Sequence, residues 1–168
     1  MTRNAKPRKA YRPGPVHANA THIALTGVRK IAAHDVRNQI KLINSTLQQF
    51  MAGIHCAAHW RSLADAANMA ETLAAMHICG GQQANELIDA AQRALAAVHS
   101  RQQITASWTL YASEIEALGW LTTLHARQLA ECDYSEFERA LQRTHNRVSA
   151  ARAGNAPRGA IVVIGDMA

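Results

Sequence analysis

The sequence predicts an all-α protein: an up-down bundle of four to five helices with an extended basic N-terminal arm and a short irregular C-terminal tail. Three observations carry that prediction. Three of the four prolines of this 168-residue chain lie in its first 15 residues, and the rest is rich in Ala and Leu with few helix breakers. Apolar residues recur at steps of three and four through five successive segments. The links between most of those segments are short, which favours antiparallel neighbours.

The chain divides into an arm (1–17), a helical domain (18–153) and a tail (154–168). The arm holds Arg3, Lys6, Arg8, Lys9 and Arg12 and no acid, and Pro7, Pro13 and Pro15 oppose helix at the residues before them. With so little apolar surface to bury, it is expected to be extended. Residues 18–34 are transitional: Ile23, Leu25, Val28 and Ile31 can pack, but Gly27 and an irregular period leave their form open.

The first helix is expected over Asp35–Met51, where Val36, Ile40, Ile43, Leu47 and Phe50 form one stripe and Asp35 stands at an N-cap position. The second runs over Ala58–Ile78, with Trp60, Leu63, Ala67, Ala70 and Leu73 inward, and ends at Gly80-Gly81. The third covers Gln83–Ser100, with Leu87, Ile88, Ala91, Leu95 and Val98 inward. The fourth covers Ser107–Cys132 and is the richest in large apolar side chains (Leu110, Tyr111, Ile115, Leu118, Leu121, Leu124, Leu129), so it is expected at the centre. Gly119 within it either admits a neighbouring helix or is merely tolerated. The fifth opens at Ser135, whose spacing to Glu138 matches a capping box, turns Phe137, Leu141 and Val148 inward, and ends near Gly154 and Pro157. In the tail, Ile161–Ile164 is a β-branched run too short to make a sheet alone.

Charge is unevenly placed. Residues 1–41 hold nine Lys/Arg and one acid, residues 42–138 four Lys/Arg and ten acids, and residues 139–168 five Arg and one acid. Basic ends on an acidic middle point to a polyanionic partner or to the protein's own middle. The arm suits phosphate contacts, with Tyr11 placed to stack on a base. Arg139, Arg143 and Arg147 recur every four residues and so share a helix face. The nucleic-acid-binding candidates are therefore Lys6, Arg8, Lys9, Tyr11, Arg12, Arg139, Arg143 and Arg147. The plainer alternatives are a solvated arm and a solvated helix face paired with carboxylates such as Glu131 or Glu136.

Other constellations point nowhere specific. His55 and His59 are one turn apart, with His77, Cys56 and Cys79 as further donors, but His59 and His77 in one helix would lie about 27 Å apart at its rise per residue. No metal site and no cofactor are expected. Glu114 and Glu116 fall on different faces, so they do not form a carboxylate pair. His125 and Cys132 can be paired on paper, but no oxyanion site accompanies them, so no enzyme is expected. Gly80-Gly81 lacks the Gly-Lys-Ser/Thr of a phosphate loop. Trp60, Trp108 and Trp120 are core or helix-end residues, any one of which can mark a dimer interface. Three dispersed cysteines, the absence of a long apolar run and a charged start without an apolar segment fit a cytoplasmic protein with no membrane contact.

The stretch Lys6-Pro7-Arg8-Lys9-Ala10-Tyr11-Arg12-Pro13-Gly14-Pro15-Val16 resembles the start of a group of small helical bacteriophage and prophage proteins, which begin with a Lys/Arg-rich run followed by Tyr-Arg-Pro-x-Pro-Val. Ala112–Gln128, with Glu114, Glu116-Ala117-Leu118, Leu124-His125 and Gln128, looks like their second shared region. The histidine-rich middle departs from that pattern. The group has no assigned activity, so the resemblance implies a phage or prophage accessory context. The expected function is non-enzymatic binding of nucleic acid through the arm and the arginine row. The alternative is a protein-interaction module or homo-oligomer that binds a host or phage protein.

Overall fold

The computed structural model describes residues 29–54 and 56–155. The arm candidates Lys6, Arg8, Lys9, Tyr11 and Arg12, together with His55 and the Ile161–Ile164 run, lie outside the described residues. Five helices form a bundle: α1 (Ala33–Met51), α2 (Ala57–Ala75), α3 (Gln82–Thr105), α4 (Ala112–Glu131) and α5 (Tyr134–Arg152).

The centre is α2, not the leucine-rich fourth helix. It packs against each of the other four. Its buried residues include Trp60, Leu63 and Leu73, but also Ala64, Ala66, Ala67, Ala70 and Ala74. A methyl side chain adds little hydrophobic surface, yet it lets neighbouring backbones approach from several sides. The sequence pattern ranks helices by large apolar groups and so overlooks a hub made of small ones.

Two clusters make up the core. The larger joins α1, α2, α3 and α4 through Ile43, Leu47, Phe50, Trp60, Leu63, Ile88, Leu95, Val98, Leu118 and Leu121, with Trp108 from the α3–α4 link. Trp60 satisfies its indole N–H on the Leu95 carbonyl at 3.0 Å, as a buried tryptophan requires. The smaller gathers Met69, Leu73, Ile78, Leu129, Cys132 and Ala140, with Ile31, Val36 and Phe137 against them.

Several helix ends differ from expectation. Asp35 is not the N-cap of α1. That position is Ala32, and Asp35 sits in the first turn, where its charge still favours the helix dipole. α2 stops at Ala75, not Ile78, because the chain turns left-handed at His77 (φ 64°). His77 N–H bonds to Ala74 O at 2.9 Å and Ile78 N–H to Leu73 O at 3.0 Å. This is a Schellman turn with histidine in the usual glycine place, and the accompanying contact between Ile78 and Leu73 is in the smaller cluster.

Residues 107–111 precede α4 as non-helical chain, so Leu110 and Tyr111 do not belong to a helical stripe; Tyr111 is 59% exposed. Asp133, not Ser135, caps α5: its Oδ1 accepts from Glu136 N–H at 2.8 Å, and Glu136 Oε2 accepts from Asp133 N–H at 2.8 Å. Ser135 donates its hydroxyl to the same Asp133 oxygen. Leu141 does not face inward and is 55% exposed. The inner face of α5 is instead Phe137, Ala140, Thr144 and Arg147, because the surface of α2 it meets offers hydroxyl and carboxylate partners.

Two glycines make opposite predictions. A Cβ at Gly80 would sit 2.5 Å from the Ala74 carbonyl oxygen, so Gly80→Ala should lower stability by about 2 kcal/mol through backbone displacement. A Cβ at Gly119, inside α4, meets nothing within 4 Å, so this glycine does not serve a close approach. Gly119→Ala should raise stability by about 0.5–1 kcal/mol from helix propensity. Thermal melts of the two variants check both signs.

Candidate anion-binding face of α5

Tyr134 N–H, at the start of α5, donates to the Arg29 carbonyl at 2.9 Å, and Lys30 forms an isolated antiparallel bridge with Asp133. The Lys30 ammonium also donates to the Glu131 carbonyl. These contacts fix the entry of the chain beside the N-terminal turn of α5, with Arg29 and Lys30 both exposed.

Along α5 the three arginines of the expected row have different fates. Arg139 is exposed, with its Nε on the Ser135 carbonyl at 3.2 Å. Arg143 is exposed and has no hydrogen-bond or ion-pair partner among the described residues. Arg147 is half-buried and tied inward. Its Nη2 lies 2.5 Å from Glu71 Oε2 and its Nη1 donates to Thr72 Oγ1 at 3.1 Å. Glu71 also accepts from Gln92 Nε2 at 2.6 Å. Thr72 donates to Asn68 O at 3.0 Å and is within 2.8 Å of the Thr144 hydroxyl. Arg147 is therefore an anchor between α5 and α2 first, and a surface cation second.

Between the C-terminal halves of α2 and α5 lies a groove of about 470 Å³ lined by Thr72, Ala75, Arg143, Asn146, Arg147, Ala150 and Asn155. Thr72, Asn146 and Asn155 were not legible as site residues. Each becomes one only through the packing of α5 on α2, and the visible hint is the polar Glu71-Thr72 pair in an otherwise alanine-rich helix.

Some carboxylates of the middle are engaged away from α5, while Glu71, Asp65 and Asp133 interact with its arginines. Glu114 pairs with Arg101 at 2.7 Å and Glu131 with Arg127 at 3.1 Å. Asp133 and Glu136 serve the cap of α5, and hydrogen bonds to the Glu136 amide and Ser135 hold the Asp133 carboxyl below its ordinary range. Burial raises the Asp65 carboxyl, against the opposing pull of Arg152 and Arg61. Of the α5 row, Arg147 alone has an ion-pair partner among the described residues.

The catalytic pairings weighed from sequence do not assemble as reactive groups. Burial drives the His125 imidazole down to about 4, and its Nδ1 is 3.4 Å from Gln128 Oε1. Burial, with Glu136 nearby, pushes the Cys132 thiol up to about 11, and that thiol donates to the Leu129 carbonyl. Both are neutral at pH 7, the opposite of a thiolate–imidazolium pair. Glu114 is buried and Glu116 exposed, in keeping with their different faces. Among the described residues no group of three or more His, Cys, Asp or Glu could hold a metal ion. No helix among them is long and apolar enough to cross a membrane. Trp60 and Trp108 are buried, whereas Trp120 is 54% exposed.

No protein-family model matches this chain, and no curated protein or solved structure is detectably similar to it.

Proposed function

We propose that this chain is a non-enzymatic phage or prophage accessory protein that binds nucleic acid through Lys6, Arg8, Lys9, Tyr11 and Arg12 of the arm and through α5. The observation that carries the reading is the pair Arg139 and Arg143. They are exposed one turn apart and neither forms an ion pair among the described residues, although Arg139 lies close enough to Asp133 to lower its carboxyl, on the helix whose first turn receives the chain at Arg29. Guanidinium groups so placed can fork onto phosphate oxygens. Arg147 contributes through its position and not as a free charge.

Affinity for a fluorescent oligonucleotide should fall steeply with salt, because each neutralised phosphate releases counterions; about five to seven contacts give a log–log slope of roughly −4 to −6. Arg139→Ala with Arg143→Ala should make that slope shallower by about 2. Anisotropy titrations decide it: absence of binding at low salt, or affinity indifferent to salt, removes the reading. A second reading is a protein-interaction module or homo-oligomer, favoured by the exposed Met51 and Ile54 at the end of α1 and by Trp120 on α4. Light scattering without nucleic acid tests self-association directly.

A further inference from the structure

We infer that the groove between α2 and α5 is a seat for a single phosphate group, with Arg143 and Asn146 as contacting residues and Arg147 as a positioning residue held by Glu71. The inference deepens the nucleic-acid reading and rests on it for the source of the phosphate.

The donor inventory supports an anion. All five N–H groups of the Arg143 guanidinium are unclaimed among the described residues. The Asn146 carbonyl oxygen already accepts from Gln142 Nε2 at 2.9 Å, which leaves the Asn146 amide hydrogens as the groups to satisfy. The Asn155 backbone N–H is spent on Ala150 O at 2.8 Å, so its side-chain amide is what it offers the groove. No carboxylate lines the groove.

The charge count matches one phosphodiester. Glu71 balances Arg147 at 2.5 Å, so the groove presents one uncompensated guanidinium. The same pair, with Thr72 on the other nitrogen, keeps Arg147 from folding into the groove and fixes its planar edge as a wall. The other walls are Ala75, Ala150 and Thr72, which leave room for a tetrahedral group and the atoms attached to it.

The test uses nitrogen-15-labelled full-length protein at low, chloride-matched ionic strength. Two probes are titrated: sodium phosphate and a short single-stranded oligonucleotide. The side-chain amide signals of Asn146 and Asn155 should move with the oligonucleotide and stay still in Arg143→Gln. Asn146→Ala removes no charge, so a loss of about tenfold in oligonucleotide affinity would isolate the groove from general electrostatics. Arg143 and Asn146 are both exposed, so these variants should fold.

If the oligonucleotide binds but both amides stay still, and Asn146→Ala binds as tightly as the parent chain, the phosphate seat is overturned while the broader reading stands. If phosphate moves the amides and the oligonucleotide does not bind, the seat holds for free phosphate and the nucleic-acid reading falls. If neither probe moves them and the oligonucleotide does not bind, both are overturned.

Discussion

Glu114→Ala should lower the stability of the protein by about 3 kcal/mol, the cost of leaving a partly buried guanidinium without its counter-ion. Glu114 and Arg101 expose only 10% and 16% of their side chains, and two nitrogens of Arg101 reach the carboxylate at 2.7 and 3.3 Å. The same carboxylate accepts the Tyr111 amide at 2.7 Å, while Arg101 also donates to the Thr109 carbonyl and lies 3.9 Å over the Tyr111 ring. One substitution thus removes an ion pair and a helix-end acceptor, and it frees the turn between α3 and α4. For a domain of this size the midpoint should fall by about 6–12 °C. Arg101→Met combined with Glu114→Leu should lose less, since no charge is stranded. A single-variant loss under about 1 kcal/mol would show that solvent reaches the pair and screens it.

Acidification should cost the fold about 2–3 kcal/mol between pH 7.5 and pH 4.5 through His125 alone, at roughly 1.4 kcal/mol per unit of pH. In the unfolded chain this imidazole titrates near 6.5; inside the bundle burial depresses it to about 4, with Gln128 opposing weakly. Above pH 6.5 both states are neutral and nothing changes. Between 6.5 and 4 only the unfolded state takes up the proton, so stability falls as pH falls; below 4 both states are charged and the loss levels off. Urea unfolding at several pH values, compared with His125→Leu, measures this. The variant loses the Gln128 contact and so starts from a different baseline, but its slope across the window should be flatter. Identical slopes would place the proton elsewhere.

The number and order of helices were legible because the stripe from Val36 to Phe50 and its counterparts repeat at a spacing only a helix can use. Helix ends were less so. Ser-x-x-Glu and Asp-x-x-Glu overlap at the start of α5, and the choice falls to Asp133, beside a residue whose amide is held by Arg29 from far away in the chain. Leu110 and Tyr111 match a helical period but stand in the link before α4, beside the Thr109 carbonyl that accepts from Arg101 eight residues earlier. At the site, the four-residue arginine spacing was legible and its meaning was not. Spacing shows that Arg139, Arg143 and Arg147 share a face. It does not show that Glu71 waits on another helix for the last of them, 76 residues away. The hub role of α2 was hidden for a related reason: alanine is nearly silent in a hydrophobic pattern and decisive in packing.

The clasp that joins Arg29 and Lys30 to the start of α5 has a geometric corollary. It places Arg29 and Lys30 at one end of the arginine helix. Seventeen peptide units separate Arg12 from Arg29, which sets a covalent limit of about 60 Å on their separation, whereas a helix of 19 residues such as α5 is about 28 Å long. That limit exceeds the helix length, so chain length alone does not prevent the arm and the α5 arginines from sharing one strand under the proposed binding mode. Under that proposal, two such contacts on one strand would multiply through effective concentration.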